Sequence, residues 1–300
     1  MRRISAVDLM LLGTVFLWAF NITVTRYVLT NGWSPLAYAT LRYFAATALF
    51  WCFTYSRERS FRVGWSDSRL IVVAALLIFL NQIGFVYSIR LTTASTVGLI
   101  LGTTPVFVGL IASAVGLERL PRVFWLAAAL SFAGVAFVAA GTGGDVSGDV
   151  WGDVLALLTA MTWGGYSVAI APLMRRYSPY RISAFVLGLG WIPLALVSVG
   201  QISAQSFSFD RLVWIGFAYA VVGPLFLTNV LWFTAIDRVG PSRAALFGNL
   251  QPFFSVVFAL LLLDEHLNRW EIVGGLAIAA AILVERRSHG RAKVALESGG

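Results

Sequence analysis

Charge is what this sequence has least of. Only 12% of its 300 residues are Asp, Glu, Lys or Arg, against about 25% in a soluble domain. Cysteine is nearly absent too. The single Cys52 excludes a disulfide framework and a multi-cysteine metal site, and it reads as a small core hydrophobe. There are two histidines, His266 and His289, both in polar stretches. What fills the space is apolar: 59% of the chain is hydrophobic and its mean hydropathy is +0.82.

A bilayer-crossing helix needs about 20 mostly apolar residues. Ten such runs can be read, at about 8–29, 35–56, 69–89, 93–115, 122–141, 150–173, 181–200, 211–236, 241–263 and 269–285. The loops between them are short and hold chain breakers, such as Gly32-Trp33-Ser34-Pro35 and Gly240-Pro241. A β-barrel would alternate over short segments instead. The first run is longer than a signal-peptide core of about 7–15 residues. It also contains Trp18, Asn21 and Arg26, so it reads as a retained span. The expected fold is therefore an all-α polytopic membrane protein with ten transmembrane helices.

The net charge of +8 needs no nucleic-acid partner. With the N-terminus inside, 17 of the 22 basic residues fall on the cytoplasmic side, as insertion favours. Both the N- and C-termini are then cytoplasmic. Residues 287–300 are polar and read as a disordered cytoplasmic tail.

The chain also repeats itself. Residues 80–121 align with 227–268 at an offset of 147, with nine identities in 42 positions. Among them are Pro105 with Pro252, Glu118 with Glu265 and Ser95 with Ser242. Earlier in each half Asp8 and Trp18 are echoed by Asp153 and Trp163, and Ser34-Pro35 by Ser178-Pro179. Two five-helix repeats follow, residues 6–141 and 150–286, joined by the acidic, Gly-rich stretch Gly141–Asp149. Five is odd, so the second repeat enters the membrane inverted. Inverted repeats are a transporter architecture, with the substrate site near the midplane between them.

Two five-span repeats, "LRYFAATALF" at 41–50, Pro105 and Phe107 before "GLERL" at 116–120, and Pro252-Phe253-Phe254 before "LLLDEHL" at 261–267 resemble the drug/metabolite transporter superfamily, EamA type. Within it the chain is most similar to the YddG-type amino-acid exporters. The resemblance covers about residues 6–286. It implies a cavity enclosed by spans 1–4 and 6–9, with spans 5 and 10 peripheral.

Polar groups deep in a bilayer face a cavity or a neighbouring helix. The substrate-binding candidates are Trp18, Asn21, Arg42, Asn81, Gln82, Thr103, Trp163, Tyr166, Asn229, Asn249 and Gln251, with Thr104 and Thr228 also near mid-span. None lies on spans 5 or 10. Each amide is as readily a hydrogen-bonded contact between helices as a ligand. Trp18 and Trp163 sit mid-span, away from an interfacial belt, whereas Trp33, Trp65, Trp151 and Trp270 fit one. Arg42 reads either as a carboxylate clamp or as a snorkelling structural cation. Pro105 and Pro252 read as hinges or kinks.

The acidic residues sharpen the choice. None of the 14 is mid-span; Asp8, Asp153, Asp237, Glu271 and Glu285 lie near span ends. A buried-carboxylate proton relay therefore has no candidate, and a hydrophobic-cation carrier would want an embedded Glu. Phosphate esters would want several buried cations, and Arg42 stands alone. No catalytic residues, metal or cofactor are called for, which leaves an intramembrane enzyme without its parts. The expected function is export of neutral and aromatic amino acids by alternating access. Other small metabolites or drugs are the nearest alternative, and a non-transporting receptor or scaffold is a distant one. The expected partners are a small-molecule substrate and the lipid bilayer. One chain can enclose the cavity, so a monomer is expected.

Overall fold

The structure, a computed structural model, describes residues 6–117, 120–141, 150–239, 247–248 and 250–297. Among them there is no strand. The helices are α1 (Ala6–Thr30), α2 (Pro35–Glu58), α3 (Ser68–Leu91), α4 (Ala94–Leu101), α5 (Thr104–Ala114) and α6 (Arg122–Gly141) in the first half. The second half holds α7 (Val150–Met174), α8 (Pro179–Ser203), α9 (Arg211–Val221), a wide π-turn segment Val222–Leu227, α10 (Thr228–Val239), α11 (Gln251–Leu262) and α12 (Arg269–Glu297).

The breakers act where the sequence puts them. Gly32, at φ +108°, turns the chain out of α1 in a conformation that side-chained residues avoid. Ser34-Pro35 and Ser178-Pro179 each open a helix with Pro in its first turn, where its missing N–H costs no hydrogen bond. Pro105 and Pro252 do the same, opening α5 and α11 at the offset of 147. Near Pro105 the span is interrupted: α4 stops at Leu101 and a new helix starts at Thr104.

Eight segments among the described residues are long and apolar enough to cross a membrane. Two of the ten expected spans are not among these eight. Gln251–Leu262 has 12 helical residues, and part of 241–263 lies outside the described residues. The apolar part of α12 ends at Glu285-Arg286-Arg287. The same helix continues through residues 287–297, where disorder is expected from polarity. Arg291, Ala292, Lys293, Ala295, Leu296 and Glu297 are good helix formers, and extending an existing helix carries no nucleation cost.

Packing follows an exchange of halves. The helix pairs α6 with α12 and α2 with α8 each join equivalent parts of the two repeats, and α4 packs on α11, the counterpart of α5. The pair α3 with α7 is answered by α1 with α9 and α10, and α5 with α7 by α1 with α11. The loops obey the same rule. At one end Gln205 Oε1 accepts from Ser34 N (2.7 Å), and Gln201 Oε1 from Leu36 N (2.8 Å). At the other end Arg176 pairs with Asp67 (2.5 Å), Tyr177 donates to Asp67 (2.7 Å), and Arg181 pairs with Glu58. Equivalent loops therefore sit at opposite ends of the bundle, one end amide and aromatic, the other ionic.

At the amide-rich end Trp33 is 2% exposed, stacked on Phe209 at 4.8 Å and Phe217 at 5.1 Å. An interfacial-belt position was expected for it. The turn at Gly32 instead folds the indole inward onto rings of the 204–217 region. Trp65 and Trp151 are exposed, and Trp270 moderately so. Cys52, expected in the core, is exposed on α2, because the buried face of that helix is the one carrying Tyr43, Ala46 and Phe50.

The repeated Glu also acquires a reason. The Glu265 carboxylate accepts from Ala94 N (2.8 Å), Ser95 N (2.9 Å) and Ser95 Oγ (2.7 Å), closing the N-terminus of α4. Glu271 accepts from Thr96 Oγ1 (2.6 Å) in the same turn. Free N–H groups and the helix dipole favour a carboxylate there. The matching Glu118 and Ser242 lie outside the described residues. Glu265→Gln removes the charge and part of the acceptor capacity. It is expected to cost about 1–3 kcal/mol, read as a lower unfolding midpoint in detergent, while Glu265→Asp recovers part of the loss.

Candidate functional site

The two mid-span tryptophans meet. Trp18 of α1 and Trp163 of α7 stand edge to face with ring centroids 5.9 Å apart. Trp232 of α10 lies 5.0 Å from Trp18, and Tyr166 lies 5.3 Å from Trp163. Both indoles at the centre are half-buried and Tyr166 is buried. Rings so placed offer edges and faces to an apolar or aromatic side chain.

Matching polar contacts tie Trp18, and the helix that carries Trp163, to the opposite repeat. Trp18 Nε1 donates to Thr228 Oγ1 (2.9 Å). Asn81, which stands where Thr228 stands in the second repeat, donates to Thr159 O (2.9 Å) and Thr162 Oγ1 (3.4 Å) beside Trp163. Gln82 Nε2 donates to Asn81 Oδ1 (3.1 Å), and Gln82 Oε1 accepts from Arg42 Nη2 (2.5 Å). A second thread runs from Asn21 to Thr25 (3.4 Å) and from Thr25 to the Tyr38 hydroxyl (3.2 Å). The Tyr38 ring lies 4.9 Å from the Arg42 guanidinium. Both threads thus start near a tryptophan and end at Arg42.

Arg42 does not snorkel. It is 1% exposed and is the largest of the fully buried side chains. Its Nε and Nη1 have no hydrogen-bond partner, and neither of the two ion pairs among the described residues involves it.

Of the candidates, Trp18, Asn21, Arg42, Asn81, Gln82, Trp163 and Tyr166 are brought into this one assembly. Thr103 is not: its hydroxyl donates to Ile100 O (2.7 Å), and Thr104 donates to Leu101 O (2.7 Å). These contacts satisfy carbonyls freed at the α4–α5 break. Asn229 is spent similarly, donating to Leu225 O (2.5 Å) in the π segment, which Pro224 widens by lacking an N–H. Gln251 opens α11 and is partly buried, and Asn249 lies outside the described residues. Sequence reasoning passed over Thr25, Tyr38 and Thr162. Tyr38 and Thr25 lie in the half of their spans that faces Arg42, a signal that only helix pairing makes readable. Two further aromatic residues lie apart from this group: Tyr87 accepts from Gln201 Nε2 near the amide-rich end (2.9 Å), and Trp191 packs on Phe44 (5.4 Å).

Comparison with known proteins places this geometry. A family profile described as "EamA-like transporter family" matches residues 5–140 and again 150–285. An "Uncharacterized transporter" of Archaeoglobus fulgidus is 25% identical over 293 residues, covering 95% of this chain and 99% of its own. A "Probable terminal-alkyne amino-acid exporter" of Streptantibioticus cattleyicolor is 29% identical over 214 residues, 69% of each chain. An "Uncharacterized inner membrane transporter YhbE" of Escherichia coli is 23% identical over 138 residues, 44% of this chain and 42% of its own. One crystal structure superposes with a TM-score of 0.65 over 95% of this chain and 98% of its own, at 18% identity. That likeness shows a shared fold.

Proposed function

The chain belongs to the EamA-like transporter family, and from that premise we propose that it exports neutral and aromatic amino acids by alternating access. It is a multi-pass membrane transporter, not an enzyme. In the proposed arrangement ten spans form two inverted five-helix repeats with both termini cytoplasmic, in a bacterial inner membrane. The placement of 17 of 22 basic residues supports that orientation. The cargo's side chain lies among Trp18, Trp163, Trp232 and Tyr166, and its polar end faces the amides of Asn21, Asn81 and Gln82. A single chain encloses the site, and the working unit is a monomer.

The observation that carries the reading is the meeting of Trp18 with Trp163 at 5.9 Å. They are equivalent residues of opposite repeats, so rocking one half against the other changes the wall that each presents. The name of the Streptantibioticus relative favours amino acids over other metabolites.

The test is counterflow of labelled tryptophan, threonine, lysine and glutamate into proteoliposomes. Saturable flux of tryptophan and threonine is expected. No carboxylate adjoins the aromatic group among the described residues: buried Asp67 lies in the ionic end, and buried Asp153 and Glu271 lie in the first turns of α7 and α12. A transmembrane pH gradient is therefore expected to leave that flux unchanged. Uphill accumulation driven by acidification would contradict the mechanism, and absence of flux for every amino acid would contradict the substrate class.

A further inference from the structure

From this proposed substrate class one step further, we infer that Arg42 receives the free carboxylate of the cargo and makes that group a condition of transport. The starting point is a buried charge without an opposite one. A guanidinium has five N–H donors; only Nη2 has a partner, the Gln82 amide oxygen, while Nε and Nη1 have none. Three other buried or partly buried charges have polar partners. Asp67 holds Arg176 and Tyr177, Glu271 holds Thr96 and the Asn268 N–H, and partly buried Arg26 donates to the carbonyls of Ile89 (2.6 Å) and Arg90 (3.0 Å) at the end of α3.

The surroundings of Arg42 narrow what the missing partner can be. The rings of Tyr38, Tyr43 and Phe85 lie 4.9, 5.9 and 5.7 Å from its central carbon. Ring contacts stabilise a cation but do not accept hydrogen bonds from Nε or Nη1. Those donors lie in the guanidinium plane, and one of them together with the remaining N–H of Nη2 forms an edge that a carboxylate matches with two oxygens and one negative charge. A phosphate dianion would bring a second charge into a wall with no second cation. An ammonium or an uncharged apolar molecule would leave the buried Arg42 as it is, uncompensated. The two polar threads run from Arg42 to Asn21 and Thr162, next to Trp18 and Trp163. A cargo with its carboxylate at Arg42 and its side chain among the indoles therefore spans one connected assembly.

The experiment compares three ligands that share an indole. Tryptophan has carboxylate and ammonium, indole-3-propionate only the carboxylate, and tryptamine only the ammonium. In wild-type proteoliposomes indole-3-propionate is expected to compete with labelled tryptophan, and tryptamine at least tenfold more weakly. In Arg42→Gln the preference for tryptophan over tryptamine is expected to collapse toward one, with Arg42→Lys keeping part of it. Thermal unfolding of the purified protein gives a reading independent of flux. Indole-3-propionate should raise the midpoint of the wild type and not of Arg42→Gln. A wild type that accepts tryptamine as well as tryptophan overturns the inference whether or not any variant folds. So does an Arg42→Gln protein with lowered flux and unchanged preference. If the wild type moves no amino acid but is stabilised by indole-3-propionate, the amino-acid reading fails and the carboxylate site stands.

Discussion

Trp18→Ala and Trp163→Ala are each expected to lower tryptophan counterflow by about tenfold to a hundredfold, and threonine counterflow much less. Trp18 touches both Trp163 and Trp232 and holds Thr228 through its indole N–H. An aromatic pair is worth about 0.5–1.5 kcal/mol beyond the area it buries, and each 1.4 kcal/mol is a factor of ten. Losing one ring therefore removes a stacking partner from the cargo and loosens the two rings beside it. Emptying a large aromatic site also costs stability, about 3–5 kcal/mol in a packed core, so lowered flux alone would not be diagnostic. Trp33→Ala supplies the comparison, because Trp33 is as large, is more deeply buried and belongs to a different aromatic cluster. It should destabilise the protein while leaving the tryptophan-to-threonine ratio intact. A ratio that moves equally in all three variants would remove the aromatic group from the site.

Much of the architecture was legible because it rests on periodic or repeated information. Apolar run length gave the helices, and the 147-residue offset gave the correspondence of α5 with α11. The Ser-Pro dipeptides gave the starts of α2 and α8. What was not legible depends on contacts between segments far apart in the chain. Trp33 has the look of a belt residue, and only the return of Phe209 and Phe217 to the same corner buries it. Pro105 reads as a kink inside a 23-residue run because hydropathy is blind to a break at Gly102-Thr103. The repeated Glu read as a loop signature, and only the fold shows Glu265 closing α4, a helix of the other repeat.

The same limit divides the candidate polar residues. Thr103 and Asn229 are mid-span and polar, as Asn81 and Gln82 are, yet their side chains satisfy carbonyls freed by local irregularities in their own helices. Asn81 and Gln82 reach across to α7 and α2. Polarity at depth thus identified groups needing partners, and local backbone geometry decided which partners were near. Asn81 makes an interhelical contact and also belongs to the proposed site, so the two readings offered by the sequence are compatible.

Gly274→Val is expected to remove folded protein altogether, and it tests the packing that frames the site from outside. At Gly274 a Cβ would lie 2.5 Å from Gly134 O, 2.6 Å from Val138 Cγ2 and 3.0 Å from Val138 N. Gly134 answers it, with a Cβ there 2.7 Å from Gly274 O and from Ile278 Cγ1. For Gly274→Val two of the obstacles, Gly134 O and Val138 N, are backbone atoms that no rotamer change relieves, so α6 and α12 would have to separate. That pair has the most extensive helix contact in the described fold, and close helix approach over small residues is what drives association where lipid is as apolar as the helix surface. Overpacking costs about 1–3 kcal/mol where neighbours can shift; against backbone on both sides the cost should exceed that range. The check is recovery of monodisperse protein after membrane extraction, with Gly13→Val as the control, since a Cβ at Gly13 meets nothing within 4 Å. Normal recovery of Gly274→Val with unaltered tryptophan flux would mean that α6 and α12 do not pack as closely as this. Recovery of Gly274→Ala with slowed flux would instead show that the pair bears on the motion between the halves.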